Sequence, residues 1–390
     1  MAIGRQINEE LKVILETFTY SKDSGWSVKT LPDLDSEQTL ILIFAAPEMI
    51  NDLSPLKELS KQYPLSKIIG CSTAGEIAGD NIKDKSLSIA VAQFKGTPLQ
   101  IVKTSILKTE DSLDAGERIA QQLNRKDLKG ILVLSEGLTI NGSALVDGLN
   151  KISQENVVIT GGLAGDGPRF KETWTIFQGE IFKNSVVAVG FYGDNIQIGY
   201  ASRGGWDIFG PERYITRAKN NILYELDGRP ALTLYKEYLG EKAKGLPSSG
   251  LLFPLAIREN ESDTRHLVRT ILAVNEEDQS LIFAGEMPMG YRAQLMRANF
   301  DRLIASAGEA GKVATINQHK GPVLSVAISC IGRRLLLGER TEEELEVMLE
   351  MLPKETKQVG FYSYGELSPV IEGNCDLHNQ TMTITTLSEK

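Results

Sequence analysis

The chain has 390 residues, with 42 Lys and Arg against 51 Asp and Glu and a formal net charge of -9. This acidic balance lacks the positive field that attracts phosphate backbones, so nucleic acid is not an expected partner. No stretch reaches the roughly 18 uninterrupted apolar residues of a spanning helix, and the N-terminus has no apolar signal core. We therefore expect a cytoplasmic protein with no membrane insertion.

The first half of the chain alternates helical and strand patterns. Residues 9–20 have helical spacing, and the apolar run at residues 39–46 is typical of a strand covered on both faces. Two more predicted helices, at 113–123 and 143–152, lie among further predicted strands, and short hairpin-like strands follow after residue 173. The mixture predicts an α/β (mixed α+β) fold with mixed β-sheets covered by helices.

A second unit is predicted to begin near Trp206. Pro230 and Gly240 bound a helix, and a longer helix is predicted at residues 291–307. We place the boundary near Ala218, which gives two domains, 1–218 and 219–390, that are expected to pack together. The phrase STAGEI at 72–77 echoes SYGEL at 363–367, which suggests two related halves.

Enzyme signatures are weak in this sequence. GCSTA at 70–74 is one residue away from the G-x-S-x-G nucleophile elbow, but Gly75 and Gly79 interrupt the helix that must follow the serine. The glycine-rich stretch at 161–167 does not follow the dinucleotide-binding spacing, and no Walker sequence occurs. A serine hydrolase that uses Ser72 is therefore the last of three functional alternatives.

Several phrases occur together that resemble the FIST family of sensory domains. They are GCSTAGEI (70–77), GGLAGDGPRF (161–170), GFYSYGELSP (360–369) and LHNQTMTIT (377–385). The resemblance implies a FIST N-terminal domain and a FIST C-terminal domain that bind a small ligand and report it to a signalling partner without catalysis. One standalone subfamily binds haem and senses nitric oxide, and this layout resembles it most. That likeness implies haem as the cofactor and a histidine kinase as the partner.

The turns at two sheet ends carry the candidate ligand-binding side chains. Hydroxyls and carboxylates at such turns can bind a polar ligand, or they can bond to their own backbone. Two tyrosines on one strand face can stack on a ligand, or they can form a core pair. An arginine in SRGGW can bind a carboxylate or form a surface ion pair. The candidates are Ser72, Thr73, Glu76, Arg203, Tyr362, Tyr364 and Glu366.

Haem would need an axial ligand, and the chain has three histidines. His378, in the HNQT phrase that the resemblance singles out, is the predicted iron ligand, and His266 and His319 are the alternatives. The alternative interpretation of His378 is that it caps the last turn and binds no metal. Three cysteines at long spacings, Cys71, Cys330 and Cys375, indicate neither a disulfide framework nor a structural zinc site.

The expected function is a ligand sensor, most specifically a haem-binding nitric oxide sensor that regulates a histidine kinase. A sensor of amino acids or other small metabolites is the alternative. The sensory phrases occupy the whole chain, so the signal is expected to pass to a separate protein. A homo-oligomer is compatible with this role.

Overall fold

A computed structural model describes residues 12–152, 156–263, 266–315, 321–369 and 373–390. It confirms the predicted mixed α/β architecture: four mixed or antiparallel sheets carry helices on their faces. No helix in the described part of the chain is long and apolar enough to cross a membrane.

The first sheet is built mainly from the beginning of the chain. Its strands run in the order Glu180–Phe182, Thr175–Phe177, Lys67–Ser72, Thr39–Ala45, Ser86–Gln93, Ile14–Ser21 and Gly25–Trp26. The elements of this region are β1 (Ile14–Ser21), β2 (Gly25–Trp26), β3 (Thr39–Ala45), a 3₁₀ turn (Pro47–Asn51), α1 (Ser54–Gln62), β4 (Lys67–Ser72), β5 (Glu76–Ala78), β6 (Asn81–Lys83) and β7 (Ser86–Gln93).

The strands of the second sheet run in the order Cys375–His378, Gly365–Pro369, Val158–Leu163, Leu128–Ser135, Ser185–Tyr192 and Leu99–Ser105. The middle of the chain supplies most of it and also the two strands β11 and β12 of the first sheet. The elements are β8 (Leu99–Ser105), a 3₁₀ turn (Thr109–Asp111), α2 (Ser112–Leu123), β9 (Leu128–Ser135), α3 (Gly142–Leu149), β10 (Val158–Leu163), β11 (Thr175–Phe177), β12 (Glu180–Phe182) and β13 (Ser185–Tyr192).

A separate antiparallel sheet with its own apolar core follows the next strand, β14 (Ile196–Arg203). It forms a subdomain inserted into the last unit of the fold. Its elements are β15 (Asp207–Ile208), β16 (Arg213–Lys219), β17 (Ile222–Leu226), β18 (Arg229–Pro230), α4 (Ala231–Leu239), 3₁₀ segments (Gly240–Gly245 and Ser248–Leu252), β19 (Leu255–Arg258), β20 (Leu267–Arg269), β21 (Ile271–Asn275), β22 (Ser280–Phe283) and β23 (Arg292–Arg297).

The third sheet, in the order β14-β28-β24-β25-β5-β6, closes the fold. The remaining elements are α5 (Phe300–Ala314), β24 (Val323–Cys330), α6 (Ile331–Leu337), a 3₁₀ turn (Gly338–Arg340), α7 (Thr341–Glu350), β25 (Thr356–Ser363), β26 (Gly365–Pro369), β27 (Cys375–His378) and β28 (Met382–Glu389).

The first, second and third sheets share one arrangement of strands, which the inserted antiparallel sheet does not have. Each has a parallel central pair (β3 and β4, β9 and β10, β24 and β25), an antiparallel strand beside it (β7, β13 or β28) and an outer antiparallel strand (β1, β8 or β14). The three chain segments β1–β7, β8–β13 and β14–β28 each build most of one sheet, and we call them units. Each unit also contributes a short hairpin to the sheet of another unit. Thus β5–β6 extends β25, β26–β27 extends β10, and β11–β12 extends β4. The exchange is cyclic, so no unit is complete without the other two.

The turns between sheet and donated hairpin meet in a ring of backbone hydrogen bonds. The amide of Ala74 donates to the carbonyl of Tyr362 (2.8 Å), and the amide of Tyr364 donates to that of Leu163 (3.1 Å). The amide of Gly165 completes the ring by donating to Ser72 (3.1 Å). Three of the four phrases given above, at residues 70–77, 161–170 and 360–369, therefore contain the three equivalent turns of one repeated fold.

Two predicted helices were wrong in this structure. Within the predicted helix at 9–20, Ile14–Ser21 is a strand, because all eight residues pair with β7, and Leu15 and Phe18 are buried on opposite faces of it; residues 9–11 lie outside the described part. The predicted helix at 291–307 begins as the strand Arg292–Arg297, which pairs with β19, and only Phe300–Ala314 is helical.

Candidate functional site

A cleft of about 710 Å³ opens beside the ring of three repeated turns, and the turns after β4 and β10 supply part of its lining. One wall follows β4, another is the loop after β10, and the third is α6. Polar and charged side chains from all three walls face it. The residues that line it are Ala46, Pro47, Glu48, Thr73, Ala74, Gly75, Glu76, Asp84, Lys85, Asp166, Gly167, Pro168, Arg169, Ile331, Arg334, Leu335 and Gly338.

Glu76 is a buried carboxyl group at the inner edge of the cleft. The Thr73 hydroxyl donates to its Oε1, and the Ser86 amide (3.0 Å) and hydroxyl (2.8 Å) donate to its Oε2. Burial raises the pKa of Glu76 to about 8, although these hydrogen bonds oppose the rise. Glu76 is therefore mainly a neutral acid at pH 7, and a neutral carboxyl group can both donate and accept hydrogen bonds.

Arg334 on α6 reaches across the cleft to the opposite wall. Its guanidinium donates to the carbonyl of Ala74 (2.6 Å) and makes a two-bond pair with Asp84 (3.0 and 2.7 Å). Gly75 leaves room for it, because a Cβ at that position would collide with Arg334 Nη1. Gly75 also has a φ of +136°, a backbone conformation that other residues rarely adopt, and this is the stronger reason for a glycine in STAGEI.

The loop after β10 is organised around Asp166. Its carboxylate accepts from the Tyr364 hydroxyl and from the amides of Phe170, Lys171 and Glu172. Burial acts to raise the pKa of Asp166, but these hydrogen bonds outweigh it and lower the pKa below its usual value. Phe170 stacks on Tyr364 with ring centroids 4.4 Å apart. The charged carboxylate therefore fixes the loop that forms this wall.

A second buried glutamate repeats the hydrogen bonding of Glu76. Glu366 accepts from the Ser363 hydroxyl (2.6 Å) and from the Thr381 amide (3.2 Å) and hydroxyl (2.9 Å). Burial raises its pKa to about 8 as well. Both glutamates accept from a hydroxyl three residues earlier and from the start of the strand that follows their hairpin. Glu366 does not line the cleft.

Two known protein-domain families match this chain. The FIST N domain matches residues 39–229, and the FIST C domain matches residues 231–369. The chain belongs to the FIST family. FIST domains are sensory domains for small ligands rather than catalytic domains. The domain boundary near Ala218 stays a prediction.

The chain is also similar to a protein of Methanocaldococcus jannaschii. This uncharacterized protein is 24% identical over 341 residues, which cover 81% of this FIST chain and 64% of that relative. The FIST chain therefore spans less than two thirds of the relative's length.

The other predicted ligand residues lie behind the cleft of the FIST protein. Ser72 is fully buried, and its Oγ accepts from the amide of Trp174 (3.1 Å). Tyr362 donates to Glu344 (2.9 Å), which forms a fully buried ion pair with Arg333. Arg203 donates to the carbonyl of Ser202 (2.8 Å), away from the lining residues. Of the predicted residues, Thr73 and Glu76 therefore line the cleft. Tyr364 does not line it, but its hydroxyl donates to Asp166, which does.

His378 is buried in the hairpin β26–β27, beyond the residues that match the FIST C domain. Its Nε2 lies 2.9 Å from the carbonyl oxygen of Ser368, and burial lowers the pKa of His378 to about 4. A neutral imidazole can bind iron, but this nitrogen is already engaged with the backbone and His378 does not line the cleft. The surroundings therefore do not fit a haem unless this hydrogen bond breaks. His319 lies outside the described residues.

The described part of the FIST chain contains no group of three or more His, Cys, Asp and Glu side chains that could hold a metal ion. The cysteines Cys71, Cys330 and Cys375 are buried and free, and burial raises the pKa of each thiol.

Sequence reasoning missed three cleft residues that matter for its chemistry: Asp84, Asp166 and Arg334. Asp166 carried a usable signal, because an aspartate in the glycine-rich phrase GGLAGDG favours turn capping. Asp84 and Arg334 carried none, since 250 residues separate the two partners in the chain.

Proposed function

We propose that this protein is a non-catalytic sensor whose ligand is a small polar metabolite bound in the cleft between the FIST N and FIST C domains. The observation that carries the proposal is the composition of the walls. Thr73, Glu76 and Asp84 come from the FIST N domain, and Arg334 comes from the FIST C domain. A ligand that contacts both would change the relative stability of conformations that differ at this contact.

Polarity of the cleft argues for the ligand class. The lining includes charged side chains that keep contact with solvent, such as Asp84 and Arg169, and an apolar occupant would remove their hydration without replacing it. The lining also carries acidic and basic side chains together. A zwitterion or another polar molecule, such as an amino acid, suits these walls better than an apolar ligand does.

A thermal-shift screen of amino acids and related metabolites tests the proposal. A ligand that binds only the folded state raises the apparent stability, by about 2.7 kcal/mol at a hundredfold excess over Kd. Glu76→Gln should reduce this ligand-dependent shift. Glu366→Gln is the matched control, because Glu366 has the same kind of hydrogen bonding but lies outside the cleft. A shift that depends on Glu366 and not on Glu76 would move the site away from the cleft.

A haem-binding nitric oxide sensor is the second proposal. It rests on the HNQT phrase at 378–381, and it requires the hydrogen bond between His378 Nε2 and the Ser368 carbonyl to break so that the imidazole can reach iron. When bound, haem would supply a gas-binding iron. Protein purified with an ample haem supply should then show a Soret band that His378→Ala abolishes and His266→Ala leaves in place. Absence of the band, or its persistence in His378→Ala, would count against this proposal.

We further propose that the output passes to a separate signalling protein, a histidine kinase. The net charge of -9 favours a partner surface that is neutral or basic.

A further inference from the structure

The ion pair between Arg334 and Asp84 joins the FIST C domain to the FIST N domain at the lining of the cleft. Arg334 is anchored from behind by the carbonyl of Ala74, so its position does not depend on Asp84 alone. Its side chain keeps 25% exposure beside the cleft, whereas the side chain of Asp84 is 64% exposed. The pair therefore joins a fixed cation to a solvated anion.

Such a pair is easily exchanged for another carboxylate. An ion pair with one well-hydrated partner contributes little to stability, because the charges interact through solvent. The planar guanidinium binds any carboxylate with the same two parallel hydrogen bonds. A ligand carboxylate in the cleft could thus replace Asp84 at little net cost.

The ion pairs that Arg169 makes with Glu48 and Asp166 in the cleft are arranged differently. Arg169 donates to Glu48 (2.6 Å) and to the carbonyl of Asp166 (2.6 Å), but both of its partners lie on the FIST N side. Displacing Glu48 would therefore leave the contact between the two domains unchanged. Displacing Asp84 would release the bond between Arg334 of the FIST C domain and the turn before β7.

We propose that the ligand carries a carboxylate that takes the place of Asp84 on Arg334, so that Asp84 is a built-in competitor and Arg334 determines specificity. This inference rests on the proposed function of the cleft and adds the chemical class of the ligand. Occupancy would exchange an interdomain ion pair for a ligand contact. That exchange is a difference between the free and bound states that a partner protein could read.

Calorimetric titration with small carboxylates, such as lactate, succinate and glutamate, tests the proposal, with succinamide as the uncharged analogue. Arg334→Gln should weaken carboxylate binding at least about tenfold, since it removes a charge-assisted pair. Asp84→Asn should strengthen binding by about two- to fivefold, since it removes the competitor. Succinamide should not bind measurably.

A double variant separates competition for Arg334 from a general effect of charge. In the Arg334→Gln background, Asp84→Asn should no longer strengthen binding, because there is no guanidinium left to release. The remote pair Arg217 and Glu225 (2.8 Å) provides matched controls, and Arg217→Gln and Glu225→Gln should bind like the wild type.

Three results would overturn the inference. They are unchanged or weaker binding in Asp84→Asn, a gain that persists in the double variant, and the lack of any carboxylate binding in both wild type and Asp84→Asn. If an uncharged metabolite instead stabilises the protein and Glu76→Gln abolishes that effect, the proposed function holds and the carboxylate inference alone fails.

Discussion

At the scale of single residues, the two buried glutamates are the most informative features. Glu76 and Glu366 lie three residues after Thr73 and Ser363, and each accepts from those hydroxyls. The same arrangement has different consequences in the two places. Glu76 lines the cleft and can contact a ligand, whereas Glu366 fixes the turn before β28. Whether such a glutamate can contact a ligand therefore depends on whether its turn lines the cleft, and not on the hydrogen bonds within the turn.

The raised pKa values predict a pH dependence of stability. Both glutamates have a pKa of about 8 when folded, against an ordinary value of 4.5, so the folded protein binds protons that the unfolded chain releases. The free energy of unfolding should therefore fall as pH rises through 6.5–8, by up to about 1.4 kcal/mol per pH unit for each group. Denaturant titrations across this range measure the slope.

Neutral variants provide the control for this slope. Glu76→Gln and Glu366→Gln should each flatten it, and the double variant should flatten it most. The chosen range avoids His378, whose lowered pKa of about 4 makes stability fall at acid pH instead. A double variant with the wild-type slope would show that these carboxyl groups are ionised in the folded protein.

At the scale of elements, three equivalent glycines explain how the parallel strand pairs approach so closely. A Cβ at Gly70, Gly161 or Gly360 would collide with the carbonyl oxygen of the neighbouring central strand, on Ile43, Val133 or Ala327. Each glycine precedes one of the three turns. Close packing at these positions brings the strand ends together and so positions the turns around the cleft.

Substitution of one of these glycines should test that role. Gly360→Ala places its Cβ against backbone, which cannot move aside like a flexible side chain, and should cost roughly 1–3 kcal/mol of stability. Lys357→Ala, an exposed position in the same strand, is the control and should change little. Chemical denaturation compares them, and equal stability of the two variants would contradict the packing argument.

At the scale of the whole molecule, hairpin exchange joins both FIST domains into one interdependent body. The hairpin β5–β6 of the FIST N domain extends β25 of the FIST C domain, and β26 of the FIST C domain extends β10 of the FIST N domain. Apolar cores are shared in the same way, since buried residues of both domains belong to the same clusters. A change at the cleft can therefore alter surfaces on either domain.

The partner proposal gives a prediction at this scale. Adding the protein to its cognate histidine kinase should change the rate of autophosphorylation, and the cleft ligand should modify that change. Glu76→Gln should keep the effect of the unliganded protein but respond to ligand only at higher concentration. A kinase response that is identical with and without ligand, in the wild type, would refute the coupling.

The sequence by itself determined the family, the alternation of strands and helices, and the turn residues Thr73 and Glu76. These are local signals: apolar runs, glycines and hydroxyls next to a carboxylate can be read within a few residues. Local signals also misled, because the spacing at residues 9–20 suits a helix although pairing with β7 makes Ile14–Ser21 a strand. The sequence thus indicated where polar turns lie.

Only the tertiary structure decided which turns face the cleft and which partners they meet. The donated hairpins have strands of three to five residues, too short for a clear alternation pattern, and their pairing partners lie in distant parts of the chain. The contact of Arg334 with Asp84 spans 250 residues. Such contacts follow from the packing of whole sheets and the cyclic exchange of hairpins, and no local pattern encodes them.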